Sequence, residues 1–454
     1  MPRYKRAGFA GIAAFAVATL AAAGCSSSSS TTNTTAPSSS AAPSTSAAAP
    51  STSAVAPSPS GSGGGLGAQS VTDYLSYTGG KSGPADSTLP PVTIGFVNQQ
   101  GGPQVIGLHA TDGAEMAVNY INKELGGVDG HPVQLSTCFI ASAEEEGNGC
   151  AQKFLANKSI DVIAMGAVVI GDQSFYATLG GKLPVVGGVA PLPIDGAQKN
   201  TAVLFGDATS VLGPFGTYGR DVLHAKTAAV LYPNTASATP GALATEAALK
   251  AAGISVKMGP YPENATDLTG VLASTGAATA DMVVPAVAAP DCVNIQKAFT
   301  QQGITDPKKI VAAPLCLNGQ VAAGLGGDFP KWTYLIASSL FGDTTDPGMI
   351  EYMKLAQTYS TPANAPDPWN IVDFGQMMTI DKVLNQVAFV NLSPTEIQSA
   401  VQAFKGPQAL GAPALECGYN PAAPGVCNNR SQFFEYDGKN KWVKTAGWTQ
   451  PPAA

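Results

Sequence analysis

The chain has 454 residues and a formal net charge of −7, with 24 Lys and Arg against 31 Asp and Glu. That is more than one compact core holds, so two domains are expected. The acidic balance speaks against nucleic acid or an anionic membrane face as a partner.

The first segments in chain order are processing signals. Arg3, Lys5 and Arg6 form a positive n-region, an apolar run of small residues follows from Ala7 to Ala23, and Ala23-Gly24-Cys25 closes it. Residues 1–24 therefore read as a signal peptide that exports the chain. The stretch "TLAAAGC" resembles a bacterial lipoprotein lipobox, with Ala22 where that motif usually has leucine and Leu20 two residues earlier. The resemblance implies cleavage before Cys25 and a diacylglyceryl group on its sulfur. An ordinary secretory signal with an unmodified cysteine is the alternative. Once the signal is removed, Arg220 and Arg430 are the only arginines. Residues 25–89 are Ser/Thr/Ala/Pro- and then Gly-rich, and are expected to be a disordered leash that cannot offset its ordering entropy. No later run is apolar over the length of a bilayer, so the body is expected to be soluble and held at the outer face of the cell membrane.

Order is expected from "PVTIGFV" (91–97), a β-branched strand. In "GLHATDGAEMAVNYINKELGG", Ala110, Ala114, Ala117, Ile121 and Leu125 share one helical face, and Gly126-Gly127 stops the helix. Strands "PVQLSTC", "IDVIAMG" and "LPVVGG" and a helix around "AQKFLANK" complete a first series. A second series has strands at "TAAVLYP", "ISVKM", "DMVVPAV", "KIVAAP" and "TYLIASS". Its helices are "TPGALATEAALKAAG", "ATDLTGVLAST" (capped by Thr266 or Asp267) and "CVNIQKAFTQQG". This alternation predicts an α/β fold with parallel sheets. Helices follow at 347–359, 369–390 and 394–404, then a hairpin turning at Asp437-Gly438.

Six cysteines remain beside Cys25: Cys138, Cys150, Cys292, Cys316, Cys417 and Cys427. An even number in an exported chain predicts three disulfides, and of the fifteen pairings the neighbouring one is expected: 138–150, 292–316 and 417–427. None has the short spacing of a zinc site. No metal or cofactor is expected.

The stretches "VTIGFVNQQGGPQVIGLHATDGAEMAVNYINKELGGVDGHPVQL", "ATDLTGVLASTGAATADMVV" and "FTQQGI" resemble the leucine/isoleucine/valine-binding proteins, the type I periplasmic binding fold that serves ABC importers. The likeness runs from about Pro91 to Trp448, and the Cys138–Cys150 spacing matches a disulfide that family often carries. It implies two Rossmann-like lobes, 90–207 plus 341–417 and 208–339 plus 428–450. Three crossings would join them, near Gly206–Ser210, Ser338–Gly342 and Cys417–Cys427. It also implies a small-molecule ligand in the cleft, an ABC permease as membrane partner and a monomeric receptor.

In open parallel sheets ligands lie beyond the carboxyl ends of the strands. Those ends are 98–106, 166–169 and 187–190 in the first lobe, and 232–237, 286–291 and 314–318 in the second. The family's amino-acid binders place an acidic residue where this chain has Leu315. Their lobe-two tyrosines fall at Ser237 and at Ala288 or Ala289, and their lobe-one aromatic falls near Ile106. A buried ammonium without a counter-charge is costly, and two arginines make a carboxylate clamp hard to build. The expected ligand is therefore neutral or weakly polar. Its walls would be Ile106, Ala167, Val168, Val189, Ala190, Ser237, Ala288 and Leu315, with amides from Gln100, Gln104 and Asn318. Asp291 either swings into the cleft to meet an ammonium or sits at the N-terminus of the next helix. A branched-chain amino acid binder with an altered site remains the alternative ligand reading.

An enzyme is not expected. His109, His131 and His224 lie at helix ends or turns with no nucleophile motif. "AEEEG" (143–147) reads as a solvated charge run before a helix, and "GLGG" near Gly324 lacks nucleotide-loop spacing. The rival classes are a ligand-sensing receptor subunit of the same fold and a structural wall lipoprotein.

Overall fold

The computed structural model describes residues 70–453 except 103–106, 191, 208, 236–237 and 289–290. The signal peptide, Cys25 and most of the expected leash lie outside the described residues. The leash ends sooner than expected. Val71, Tyr74 and Tyr77 are buried, and Asp73 caps a short helix α1 (Tyr74–Thr78) by accepting from the Ser76 N–H. Three large apolar side chains give this segment the burial that the preceding Ser/Thr/Pro tract lacks.

The first lobe begins with β1 (Val92–Gln99), α2 (Ala110–Glu124), β2 (Val133–Ile140) and α3 (Glu144–Ala156). It continues with β3 (Ile160–Met165), α4 (Asp172–Leu179), β4 (Val185–Ala190), α5 (Pro193–Ala197) and β5 (Thr201–Asp207). Its sheet is parallel, in the order β2-β1-β3-β4-β5. Alternation of side chains splits the strands between two cores. Val92, Ile94, Phe96, Val162 and Ala164 face α2, while Val97, Ile163 and Met165 face α3 and α4. The predicted helical face is realised in full, with Ala110, Ala114, Ala117, Ile121 and Leu125 all at most 2% exposed.

The second lobe holds α6 (Pro214–Asp221), β6 (Thr227–Pro233), α7 (Thr239–Ala251), β7 (Ser255–Tyr261) and α8 (Thr269–Thr275). It goes on through β8 (Met282–Pro285), α9 (Asp291–Gln301), β9 (Val311–Ala312), α10 (Gly319–Gly324) and β10 (Thr333–Ile336). Then come α11 (Pro347–Tyr359), α12 (Pro368–Val387) and α13 (Pro394–Gln402), which return to the first core, and finally β11 (Ser431–Gly438) and β12 (Lys441–Thr449). One sheet has the order β7-β6-β8 and another β9-β10-β11-β12. A parallel bridge from Val283 to Ile310 joins them. The parallel strands thus repeat the first lobe's order, β7-β6-β8-β9-β10 against β2-β1-β3-β4-β5.

Several local expectations are corrected. β5 was not foreseen, nor were the short helices α4, α5 and α10. The strand expected at "KIVAAP" shrinks to two residues, because Pro314 ends its ladder and opens a 3-10 turn. The hairpin turns at Lys439-Asn440, both at positive φ (52° and 59°), not at Asp437-Gly438. Asp267 does accept from the Thr269 N–H at the start of α8. Two of the three acids of "AEEEG", Glu144 and Glu146, are caps, while Glu145 is exposed as expected. Glu146 accepts from the N–H groups of Ala141, Ser142 and Ala143, which holds its carboxyl below the usual range. Glu144 accepts from those of Gly171 and Ser174.

The three expected disulfides are present: Cys138–Cys150, Cys292–Cys316 and Cys417–Cys427. The third lies within the first lobe. Gly425 and Cys427 hydrogen-bond Val203, so this segment extends the β5 edge and Cys427 is buried in the first core. The chain crosses after it, at Asn428–Arg430.

The links between lobes are laced together. Asn428 Nδ2 donates to the Phe205 carbonyl (3.1 Å), Ser431 Oγ to that of Val211 (3.0 Å) and Gln432 Nε2 to that of Ser338 (3.3 Å). A fourth tie comes from β12. Lys444 pairs with Asp343 at 2.7 Å, and Trp448 is buried in the first core although its strand belongs to the second sheet. Trp448→Ala is expected to cost about 3–5 kcal/mol in urea unfolding. A loss under about 1 kcal/mol would show that this side chain does not bind the lobes.

Candidate ligand cleft

β5 leaves its sheet at the carboxyl end for the second lobe, and β10 leaves its own carboxyl end for the first. The carboxyl edges of both parallel sheets therefore border the crossings. Each sheet reverses its order once, between β1 and β3 and between β6 and β8, and ligands of open α/β sheets settle at such points.

In the first lobe the switch point is built on Asn98, fully buried at the end of β1. Its Nδ2 donates to the Gly107 carbonyl (3.2 Å) and to Thr111 Oγ1 (3.3 Å). Its Oδ1 accepts from the Ala167 N–H (3.1 Å). One amide thus fastens the loop after β1, the start of α2 and the loop after β3. Gly107 is needed there: its φ is +58°, and a Cβ would come within 2.4 Å of the Ala167 Cβ. Gln99 Oε1 accepts from the Val169 N–H (2.9 Å), and its Nε2, also buried, has no acceptor among the described residues. From α12, Gln376 Nε2 reaches the Met165 and Val186 carbonyls.

The predicted site residues divide. Gln100 is half-buried, and its Oε1 accepts from Thr111 Oγ1 (2.7 Å). Gln104, Ile106 and Ser237 lie outside the described residues, as does Ala289. Ala167 and Val168 are at the right loop but buried, Val168 in the core under α3 and α4. Val189 is half-buried against α12's core, Ala190 is buried and Ala288 is exposed. Asn318 caps α10: its Oδ1 accepts from the Gln320 and Val321 N–H groups, and its Nδ2 donates to the Leu315 carbonyl. Asp291 begins α9 and is 4% exposed. Burial raises its carboxyl, while the Asn264 N–H hydrogen-bonds to it.

Sequence reasoning missed Asn98, Gln99 and Leu108. The signal was a polar "NQQ" closing a strand that is otherwise apolar. Leu108 and Leu315 are 53% and 57% exposed, one beyond the carboxyl end of each lobe's sheet. Cys292–Cys316 ties the start of α9 to the turn after β9, bracing the second lobe's side. His109 pairs with Asp112 (2.7 Å), His131 with the Pro90 carbonyl, and His224 is exposed.

Two parallel-sheet lobes with matched switch points, joined at three crossings, make up the architecture of a type I periplasmic binding fold. The periplasmic binding protein family model matches residues 91–414, and the chain belongs to that family. No curated protein matches the sequence significantly. Among solved structures, an ABC transporter substrate-binding protein from Sphaerobacter thermophilus is similar at TM-score 0.64 and 14% identity, over 80% of this chain and 98% of that one. The branched-chain amino acid binding protein LivJ of Streptococcus pneumoniae, in complex with isoleucine, has TM-score 0.58 and 15% identity, over 78% and 99%. A solute binding protein of R. palustris in complex with benzoate has TM-score 0.58 and 14% identity, over 79% and 98%. The second of these structures thus holds isoleucine and the third benzoate.

Proposed function

We propose that this chain is the lipid-anchored, extracytoplasmic receptor of an ABC importer, and that it captures a neutral or weakly polar small molecule between its lobes. Its lobes correspond to 90–207 plus 341–427, the first lobe ending after the third disulfide and not at Cys417, and to 208–339 plus the C-terminal hairpin, and Cys25 carries the anchor. The observation that carries the ligand class is the charge of the cleft. The six strand-end loops contain no Lys or Arg and a single acid, Asp291. That acid is buried and hydrogen-bonded at the start of α9, while two leucines stand exposed at the sheet ends. An ammonium group would find no ready counter-charge there. The benzoate complex of a structural neighbour supports the reading that the fold also serves ligands without an ammonium group.

Titration calorimetry with leucine, isoleucine and valine is expected to show no binding at micromolar concentration. Native mass spectrometry of the purified protein is expected to reveal an uncharged or aromatic co-purified compound. Micromolar binding of any of the three amino acids would overturn the ligand class and leave the receptor reading in place.

A further inference from the structure

Two buried carboxyls lie at the bases of the first lobe's cleft loops. Asp172 is the first residue of α4, directly after the loop that follows β3, and Asp195 sits in α5, after the loop that follows β4. They are 1% and 2% exposed, and their carboxyl groups lie within hydrogen-bonding reach of each other. The Tyr176 hydroxyl donates to Asp195 Oδ1 (2.9 Å), and the Leu192 N–H also serves Asp195. Among the described residues, no donor reaches either oxygen of Asp172 or the Oδ2 of Asp195. The charged groups that face the pair are Glu144 from α3 and Asp207 from β5, both acids. No cation is among them.

Two ionised carboxylates in contact, dry and without a counter-charge, repel strongly. The same two groups become a donor and an acceptor once one of them holds a proton. We infer that Asp172 and Asp195 share a single proton, and that the resulting O–H···O bond ties the loop after β3 to the loop after β4. Glu144 extends this clasp, since it binds the Gly171 and Ser174 N–H groups at the foot of the first loop. Deprotonation replaces the bond by like-charge repulsion and parts the two loops. That these loops line a ligand cleft rests on the reading above, whereas the proton bond itself does not.

The sign follows from the environment. Burial, first, and the neighbouring acids push Asp172 above the ordinary carboxylate range, and burial raises Asp195 as well. The folded pair keeps a proton that the unfolded chain has lost. Its contribution is therefore fully present below the ordinary carboxylate range and is lost as the pH rises from there through the raised folded value.

Hydrogen exchange by mass spectrometry tests this on the full chain with no ligand added, so its outcome is independent of the cleft reading. Rates are corrected for intrinsic exchange and compared between about pH 6 and about pH 9. In the wild type, peptides covering 166–174 and 189–196 are expected to lose protection by about tenfold or more at the alkaline end. In Asp172→Asn, whose amide donates to Asp195 without titrating, protection is expected to persist. Equal loss in both proteins, or no loss in the wild type, overturns the proposal. Should Asp172→Asn fail to fold, Asp195→Asn asks the same question with the donor on the other side.

Discussion

Replacing Gly113 by alanine is expected to destabilise the first lobe by about 3 kcal/mol or more, and by leucine to prevent its folding. Gly113 lies on α2 where that helix crosses α12. A Cβ there would come within 2.3 Å of the Asn370 carbonyl oxygen and 2.9 Å of its Cα. Those are backbone atoms, so no rotamer change relieves the clash. The helices would have to separate, emptying a core that includes Phe374, Met377 and Tyr352. Gly149 on α3 is the control. It is exposed and a Cβ there meets nothing within 4 Å. Gly149→Ala is expected to stabilise the protein by about 0.5–1 kcal/mol through helix propensity. Urea unfolding of the two alanine variants should move in opposite directions. Equal and small shifts would mean that α2 and α12 do not pack backbone to backbone.

Asp381→Asn is expected to raise the thermal midpoint at about pH 8 and to flatten its decline with rising pH. Asp381 is 1% exposed on α12, and neither oxygen has a donor. Burial pushes its carboxyl well above the usual range. The folded state then holds a proton that the unfolded chain releases at its ordinary value. The cost of the acid is absent below the ordinary carboxylate range and grows as the pH rises above it. An isosteric amide removes the charge and the titration together, for a gain on the order of 1–3 kcal/mol at the alkaline end. Asp373, about two turns away on the same helix, is fully buried with its carboxyl raised in the same direction, so part of the pH slope should survive in the single variant. An unchanged slope in Asp381→Asn would show that this carboxyl is hydrated and ionised in the folded protein.

How far the sequence could be read follows from the range of each signal. The α2 face and the β1 strand are written in adjacent residues, as a period of 3.6 and as a β-branched run, and both were legible. The α/β class followed from their alternation. The order of strands in each sheet was not read, since pairing across the sheet leaves little trace in any one strand. Residues with long-range partners were read less well. Asn318 looked like a free amide because its capping bonds depend on the turn that Pro314 starts. Asn98 was overlooked because its partners are Gly107, Thr111 and Ala167. Asp373 and Asp381 carried no local signal of burial, yet α12 is buried on nearly all sides. Val71, Tyr74 and Tyr77 were hidden by the low-complexity tract before them.

The tie made by β12 also bears on the order in which the molecule can be completed. The first lobe starts at β1 but draws its second layer from α11, α12 and α13, its sheet edge from Val426 and a core side chain from Trp448. The second lobe, begun at α6, obtains β11 and β12 only at the end of the chain. Neither lobe can close as the polypeptide emerges from its N-terminus. Each waits for the final residues, and contacts of this sequence separation make for slow, late consolidation. A chain cut short before Trp448 would therefore leave two unfinished lobes, where a protein with lobes written one after the other would leave one intact.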